Sequence, residues 1–320
     1  MKHKRQVPLW AALIILLWVL PGPEFPLADA TENSLVILHS GSSAATHFSQ
    51  TLTGALHRQF PDMQIRNTSQ VTPSVPMHGV RALLLVGSGA LETYRKSPAL
   101  QQIPALALLV TRQRFEALWH RLPSDTRSRL TAIYIDQPPT RQFLLAVHAF
   151  PERRRLGVLL SRNTRPTLPL LKKLAVRTRR TLVAYETVGH DRLIASMEDL
   201  FENTDVYLAL PDPNVINRNT LQPILLTSYR YRIPVVAFSR AYVKAGATAA
   251  IYTPLDGLTE ETLEILPGLL GERSGPLPRP HYSSRFRVAL NRQVARSLGI
   301  PLPTEKALED AIRVWEENNR

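Results

Sequence analysis

The sequence contains no cysteine. That excludes disulfide staples, thiolate zinc centres and cysteine nucleophiles, so stability has to come from a packed core. It also excludes an N-terminal lipid anchor, which needs a thiol just after the cleavage point. Long apolar runs are nearly absent, the one exception being Val7 to Leu20. At 14 residues it falls short of the ~20 needed to cross a bilayer, and no integral membrane segment is expected. Metal-ligand spacing is missing too. His39, His47 and His57 stand eight and ten residues apart, with no H-E-x-x-H pattern, so no metal site and no cofactor are expected. No G-K-[ST] phosphate loop and no G-x-S-x-G nucleophile elbow occur, and no catalytic group is expected.

What the N-terminus does contain is an address. Lys2, Lys4 and Arg5 precede the apolar run, Pro21-Gly22-Pro23 breaks it, and Ala28-Asp29-Ala30 offers a small-x-small cleavage site. Residues 1–30 are therefore expected to be a signal peptide cut after Ala30, leaving a mature chain that starts at Thr31. Without an anchor, the mature protein is retained only by a second membrane, which places it in a periplasm. The formal charge of +13 and the run Arg153-Arg154-Arg155 are the kind of feature that attracts nucleic acid inside a cell. Export removes that partner and leaves a solvated basic surface, with anionic lipid or an acidic partner as the sharper alternative.

The mature chain alternates short apolar runs with amphipathic segments. Leu35–His39, Ala82–Val86, Ala105–Val110 and Thr131–Ile135 are strand candidates in the first half, with Met63–Asn67 weaker and Thr72–His78 a loop. Arg155–Ser161, Leu182–Thr187, Val206–Leu210 and Pro234–Phe238 repeat the pattern, with helices around Leu168–Thr178, Leu193–Glu202 and Asn217–Tyr231. Runs apolar on both sides suit parallel strands covered by helices, which predicts an α/β fold with parallel sheets built from βαβ units, as one wide sheet or two smaller ones. Asp136-Gln137-Pro138-Pro139 interrupts the alternation and marks a crossover between lobes. A second passage is expected near Ala247–Pro254, ahead of a helix at Thr259–Leu270. One lobe then comprises residues 31–137 with about 255–280. The other comprises 138–254 with about 281–300, and 301–320 form a C-terminal helical extension.

Open parallel sheets take ligands in the loops past the C-terminal ends of their strands. On that rule the first-lobe candidates are Ser40, Gly41 and Ser42 with Gly87 and Ser88. Those of the second lobe are Ser161, Asp212, Asn214, Ser239 and Tyr242, and Asp136 and Gln137 fall at the crossover. Gly87-Ser88-Gly89 opens a helix, but Glu92 stands where a dinucleotide fingerprint needs its third glycine, so a tight turn is the simpler role. Ser42 or Ser43 suits either an anion at a helix N-terminus or a helix cap. Asp212, between Pro211 and Pro213, suits either an amine contact or a turn scaffold. A carboxylate and an aromatic face, Asp212 and Tyr242, together suit an amine- or ring-bearing ligand.

Three stretches resemble a family of ABC-transporter substrate-binding proteins. They are Asp205–Asp212 with Asn219-Thr220, Pro234–Ser239 with Val243-Lys244-Ala245-Gly246-Ala247, and Phe286–Asn291 with Val294–Pro303. The resemblance implies the type I periplasmic-binding-protein fold: two Rossmann-like lobes, three crossing segments and a ligand between them. It also implies a small polar ligand, held by hinge closure without covalent chemistry, and an inner-membrane ABC permease as partner. Some members bind aromatic amino acids; their early G-T-x-D-P loop has no counterpart near Gly87. The alternatives are a binding-fold accessory protein with no dedicated transporter and a periplasmic α/β hydrolase or transferase. The export signal yields a direct test. The intact mass of protein recovered from the periplasm is expected to correspond to a chain beginning at Thr31, and retention of Met1–Ala30 would contradict it.

Overall fold

The computed structural model describes residues 33–69, 77–187, 193–272 and 275–319. The signal segment 1–30 and most of the Thr72–His78 loop lie outside the described residues. The strands are β1 (Ser34–His39), β2 (Gln64–Thr68), β3 (Val80–Val86), β4 (Ala105–Val110), β5 (Leu130–Tyr134) and β6 (Arg155–Leu160). They continue as β7 (Thr181–Glu186), β8 (Val206–Leu208), β9 (Val235–Ala237), β10 (Ala249–Tyr252), β11 (His281–Tyr282) and β12 (Arg287–Leu290). These make two separate six-stranded sheets, in the orders β11-β5-β4-β3-β1-β2 and β12-β10-β9-β8-β6-β7. All pairings are parallel except β12 against β10.

The two-residue period of a strand explains why each sheet needs helices on both faces. Val36 and Leu38 join one apolar cluster while Leu35 and Ile37, on the opposite face of β1, join another. Val206 and Leu208 separate from Tyr207 and Ala209 in the same way in the second sheet. Burying one such aliphatic side chain is worth about 1.5–3 kcal/mol. Gly157 in β6 is required by this packing, because a Cβ there would lie 2.4 Å from Thr204 Cγ2.

The chain passes between the sheets three times. After β5 it runs through Asp136–Pro138 into helix Pro139–Ala149, whose Phe143 and Leu144 belong to the second sheet's core. Within Asp136-Gln137-Pro138-Pro139, Pro138 stands at the N-cap and Pro139 is the first residue of the helix, where the missing N–H costs nothing. After β10 the chain returns into helix Leu255–Leu269, which packs Leu258 and Leu266 into the first sheet's core. It crosses again between β11 and β12, at Ser283–Phe286.

One buried side chain ties these three passages together. Gln137 Nε2 donates to Thr253 Oγ1 at 2.7 Å and to the Arg285 carbonyl at 3.4 Å. Its Oε1 accepts from Arg141 Nη1 at 2.6 Å, and the same nitrogen donates to the Ser283 carbonyl at 2.7 Å. Arg141 is held by a fork-to-fork pair with Glu316 at 2.7 and 3.1 Å, from the helix Glu305–Glu317, and lies 4.5 Å over the Phe286 ring. Buried Glu261 fastens the third passage, accepting from Ser283 Oγ at 2.6 Å and the Ser284 N–H at 3.2 Å. Burial pushes its carboxyl up, but hydrogen bonds from His281, Ser283 and Ser284 outweigh that and hold it below the usual range. Gln137→Ala strands these partners and is expected to cost about 1–3 kcal/mol in urea denaturation. An unchanged midpoint would contradict the bridging role.

Candidate functional site

A cavity of about 270 Å³ opens where the two sheets face each other beside the crossing segments. The first sheet contributes Arg112, Gln113 and Glu116 from helix Arg112–Trp119, with Asp136 and Tyr282. From the second come Asn163, Thr164, Pro166, Thr167 and Leu170 past β6, and Leu210 and Pro211 past β8. Both groups occupy the C-terminal ends of parallel strands, where loops are free to diverge from the sheet. A roomier apolar pocket of about 400 Å³, walled by Leu225, Tyr229 and Leu298, lies wholly within the second lobe. Of these two, only the smaller is shared by both sheets, so movement of one sheet against the other would change its shape.

The first-lobe wall has local causes. β4 slips register between Ala107 and Val110, and Leu109 takes the left-handed region at φ 53°. This costs on the order of 1–2 kcal/mol for a side chain with a Cβ. The slip delivers Thr111, whose Oγ1 accepts from Arg114 N–H at 3.3 Å and caps the helix that begins with Arg112. The Arg112 N–H donates to Asp136 Oδ1 at 2.8 Å. Its guanidinium pairs with Glu116 at 2.7 Å and lies 5.9 Å from the Tyr282 ring centroid. Tyr282 packs edge-on against Tyr134 at 5.3 Å, and Tyr134 against Phe115 at 5.7 Å, so an aromatic stack backs the wall.

Asp136 is 9% exposed. Burial raises its carboxyl to about 6, against the lowering effect of main-chain N–H donors and Arg112. Among the described residues no side chain donates to it.

Of the twelve residues singled out from sequence, Asp136 and Gln137 line the cavity. Ser161, Asp212 and Asn214 meet behind its second-lobe wall. Asp212 is 1% exposed and accepts from Thr164 Oγ1 at 2.7 Å and the Asn214 N–H at 3.0 Å, while Asn214 Nδ2 donates to Ser161 Oγ at 3.4 Å. Thr164 thus carries Asp212's influence to the cavity surface. Ser40 sits against Gly87 and Gly89 where β1 and β3 end, while Gly41 and Ser42 follow it and Ser42 Oγ caps helix Ser43–Gln59. Gly87, at φ 87°, is forced by this approach, since a Cβ would lie 2.6 Å from Ser40 Oγ. Ser88 lines a separate polar pocket with Glu92, Arg95 and Arg114. Ser239 precedes helix Arg240–Ala245, and half-buried Tyr242 packs edge-on against Phe238 at 4.7 Å. Among the described residues no group of His, Asp or Glu is arranged to hold a metal, and no helix is long and apolar enough to cross a membrane. Sequence reasoning passed over Arg112, Glu116 and Tyr282. Arg112 and Glu116 have the spacing of a solvated helix pair, and Tyr282 lies in a stretch without strand periodicity.

Two α/β lobes, three crossing segments and a cleft between them define the type I periplasmic-binding-protein architecture. The chain belongs to the ABC transporter substrate binding protein family, whose model matches residues 66–314. Solved structures agree on the fold. A substrate binding protein with adhesive properties from Clostridium difficile, in its ligand-free, open form, superposes with TM-score 0.66 at 15% identity, over 86% of this chain and 97% of that one. An ABC domain from Streptococcus pneumonia in complex with L-Trp gives TM-score 0.59 at 15% identity, over 87% and 98%. A conserved domain protein from Vibrio cholerae gives 0.57 at 18%, over 88% and 98%. No curated protein sequence matches the chain.

The buried carboxyl yields a stability test. The native Asp136 keeps its proton up to about pH 6, whereas the unfolded side chain releases it near 3.9. The native state therefore binds more protons between those values, and stability falls as pH rises from about 4 to about 6. Asp136→Asn is expected to raise stability at pH 7.5 by on the order of 2–3 kcal/mol and to flatten that slope in thermal melts. A large loss of stability would instead make Asp136 a scaffold residue.

Proposed function

We propose that this chain is the solute-binding component of an ABC-type uptake system, working in the periplasm after cleavage behind Ala30. It captures a small polar molecule between its lobes, closes about the three crossing segments, and presents the closed form to an inner-membrane permease. It performs no chemistry on the solute. The observation that carries this reading is the cavity shared by both sheets at the crossings. A site formed from two bodies is complete only when they approach, which couples occupancy to shape. Lobe 1 comprises residues 31–137 with about 255–282, and lobe 2 comprises 138–254 with about 283–300, the later boundary falling after 282 rather than 280 because β11 pairs with β5. The 301–320 segment braces the hinge through Glu316.

Asp136 and Gln137 stand at the floor of this site. The loops carrying Ser40–Ser42, Gly87-Ser88, Ser161, Asp212-Asn214 and Ser239–Tyr242 are the further surfaces that approach on closure. The L-Trp in the Streptococcus pneumonia domain supports a ligand of amino-acid size. A thermal-shift screen of amino acids, amines, sugars, purines and oxyanions is expected to find a solute that stabilises the protein by about 2.7 kcal/mol at a hundred times its Kd. The same solute should reduce the radius of gyration in solution scattering. A stabilising solute that leaves the radius unchanged would contradict closure, and no stabilising solute at all would contradict the binding reading.

A further inference from the structure

Cavity charge narrows the solute class, given the reading of the cleft as a solute site. Among the described residues three groups with acidic or basic side chains line it, Arg112 as the cation and Glu116 and Asp136 as the carboxyls. The Arg112 guanidinium is already matched to Glu116 at 2.7 Å. Among the described residues, Asp136, 9% exposed, receives no side-chain donor and is held by the Arg112 main-chain N–H at 2.8 Å. The second-lobe wall of Asn163, Thr164, Thr167, Leu170, Leu210 and Pro211 carries no charge, and the Thr164 hydroxyl is committed to Asp212. Among the described residues, the cavity thus holds one carboxylate without a matching cation, and offers an anionic head group no free one. Burying an ionised carboxylate is expensive until a countercharge joins it.

We propose that the cleft selects an organic cation, a small molecule whose ammonium or guanidinium head lies against Asp136 and whose body lies between the Tyr282 ring and the Leu170–Leu210 surface. Tyr282 favours this twice over, because an aromatic face attracts a cation and covers an apolar body. The volume of about 270 Å³ suits a small compound rather than a peptide or polymer. The groups facing Asp136 are Arg112 and Glu116 from the helix, Tyr134 from β5 and Tyr282 from β11. Arg112 and both tyrosines keep their charge states between pH 5 and 7.5, since burial raises the tyrosines further and the Glu116 pair raises Arg112. The Asp136 carboxyl, which titrates near 6, changes charge over that range, and Asp136→Asn isolates its part in any change in affinity.

Isothermal titration of the mature protein with a matched set separates the possibilities: 2-phenylethylamine and agmatine as cations, 2-phenylethanol as the neutral counterpart, and 3-phenylpropanoate as the anion. At pH 7.5 at least one cation should bind, with the alcohol and the acid at least tenfold weaker. Lowering the pH to 5 should weaken the cation roughly tenfold, as most Asp136 becomes protonated. Asp136→Asn, which keeps the acceptor for Arg112 N–H, should abolish both the preference for amine over alcohol and the pH effect while the protein stays folded by circular dichroism. The proposal is overturned if the alcohol or the acid binds as tightly as the amines, if Asp136→Asn leaves the preference intact, or if no cation binds. In the last case the broad screen decides how much falls with it. Solutes that bind but carry no positive charge would leave the solute-site reading standing, and a screen with no binder would remove both.

Discussion

The amide of Gln137 is the constraint on which the rest of the molecule depends. A two-sheet protein needs its connections close enough together to act as one hinge, and nothing in the separate cores enforces that. Gln137 does so by bonding to Thr253 in the second passage and Arg285 in the third while sitting in the first. Arg141 and Glu316 then fix the oxygen side of the same amide, so the C-terminal helix joins the hinge instead of trailing from it. A buried amide with both ends satisfied specifies one arrangement, because any shift leaves polar atoms stranded without water. Asp136 precedes it by one residue, so the segment that holds the hinge also sets the carboxyl at the cavity floor.

Much of the architecture was legible because parallel strands buried on both faces advertise themselves as apolar runs. Leu35–Leu38, Ala105–Val110 and Val206–Leu208 could scarcely do anything else in water. The double proline gave away the first crossing through its effect on backbone conformation. β11 escaped notice because two residues, His281 and Tyr282, carry no period, and a strand that short exists only because β5 is there to pair with it.

The candidate site was less legible, for a physical reason. Strand-end loops can be located from a pattern, but which of their side chains are already spent depends on distances in space. Asp212 and Asp136 look alike in sequence, each in a proline-marked turn past a strand. In the fold Asp212 is consumed by Thr164 and Asn214, while Asp136 faces the cavity with, among the described residues, no side-chain donor. Arg112 and Glu116 point the same way. Their spacing of four residues suits a solvated helix pair, and only the slip in β4 turns that helix end into a cleft wall.

The central claim is that the two lobes move about the three crossings to enclose a solute. The absence of cysteine makes the measurement clean, since spin labels can be placed at Arg114→Cys and Lys172→Cys with no competing thiol. These exposed positions lie on the helices that flank the cavity from the first and second lobes. Pulsed electron–electron distance measurements are predicted to show a shift to a shorter, narrower distribution when a stabilising solute saturates the protein. The same distribution with and without bound solute would contradict the account.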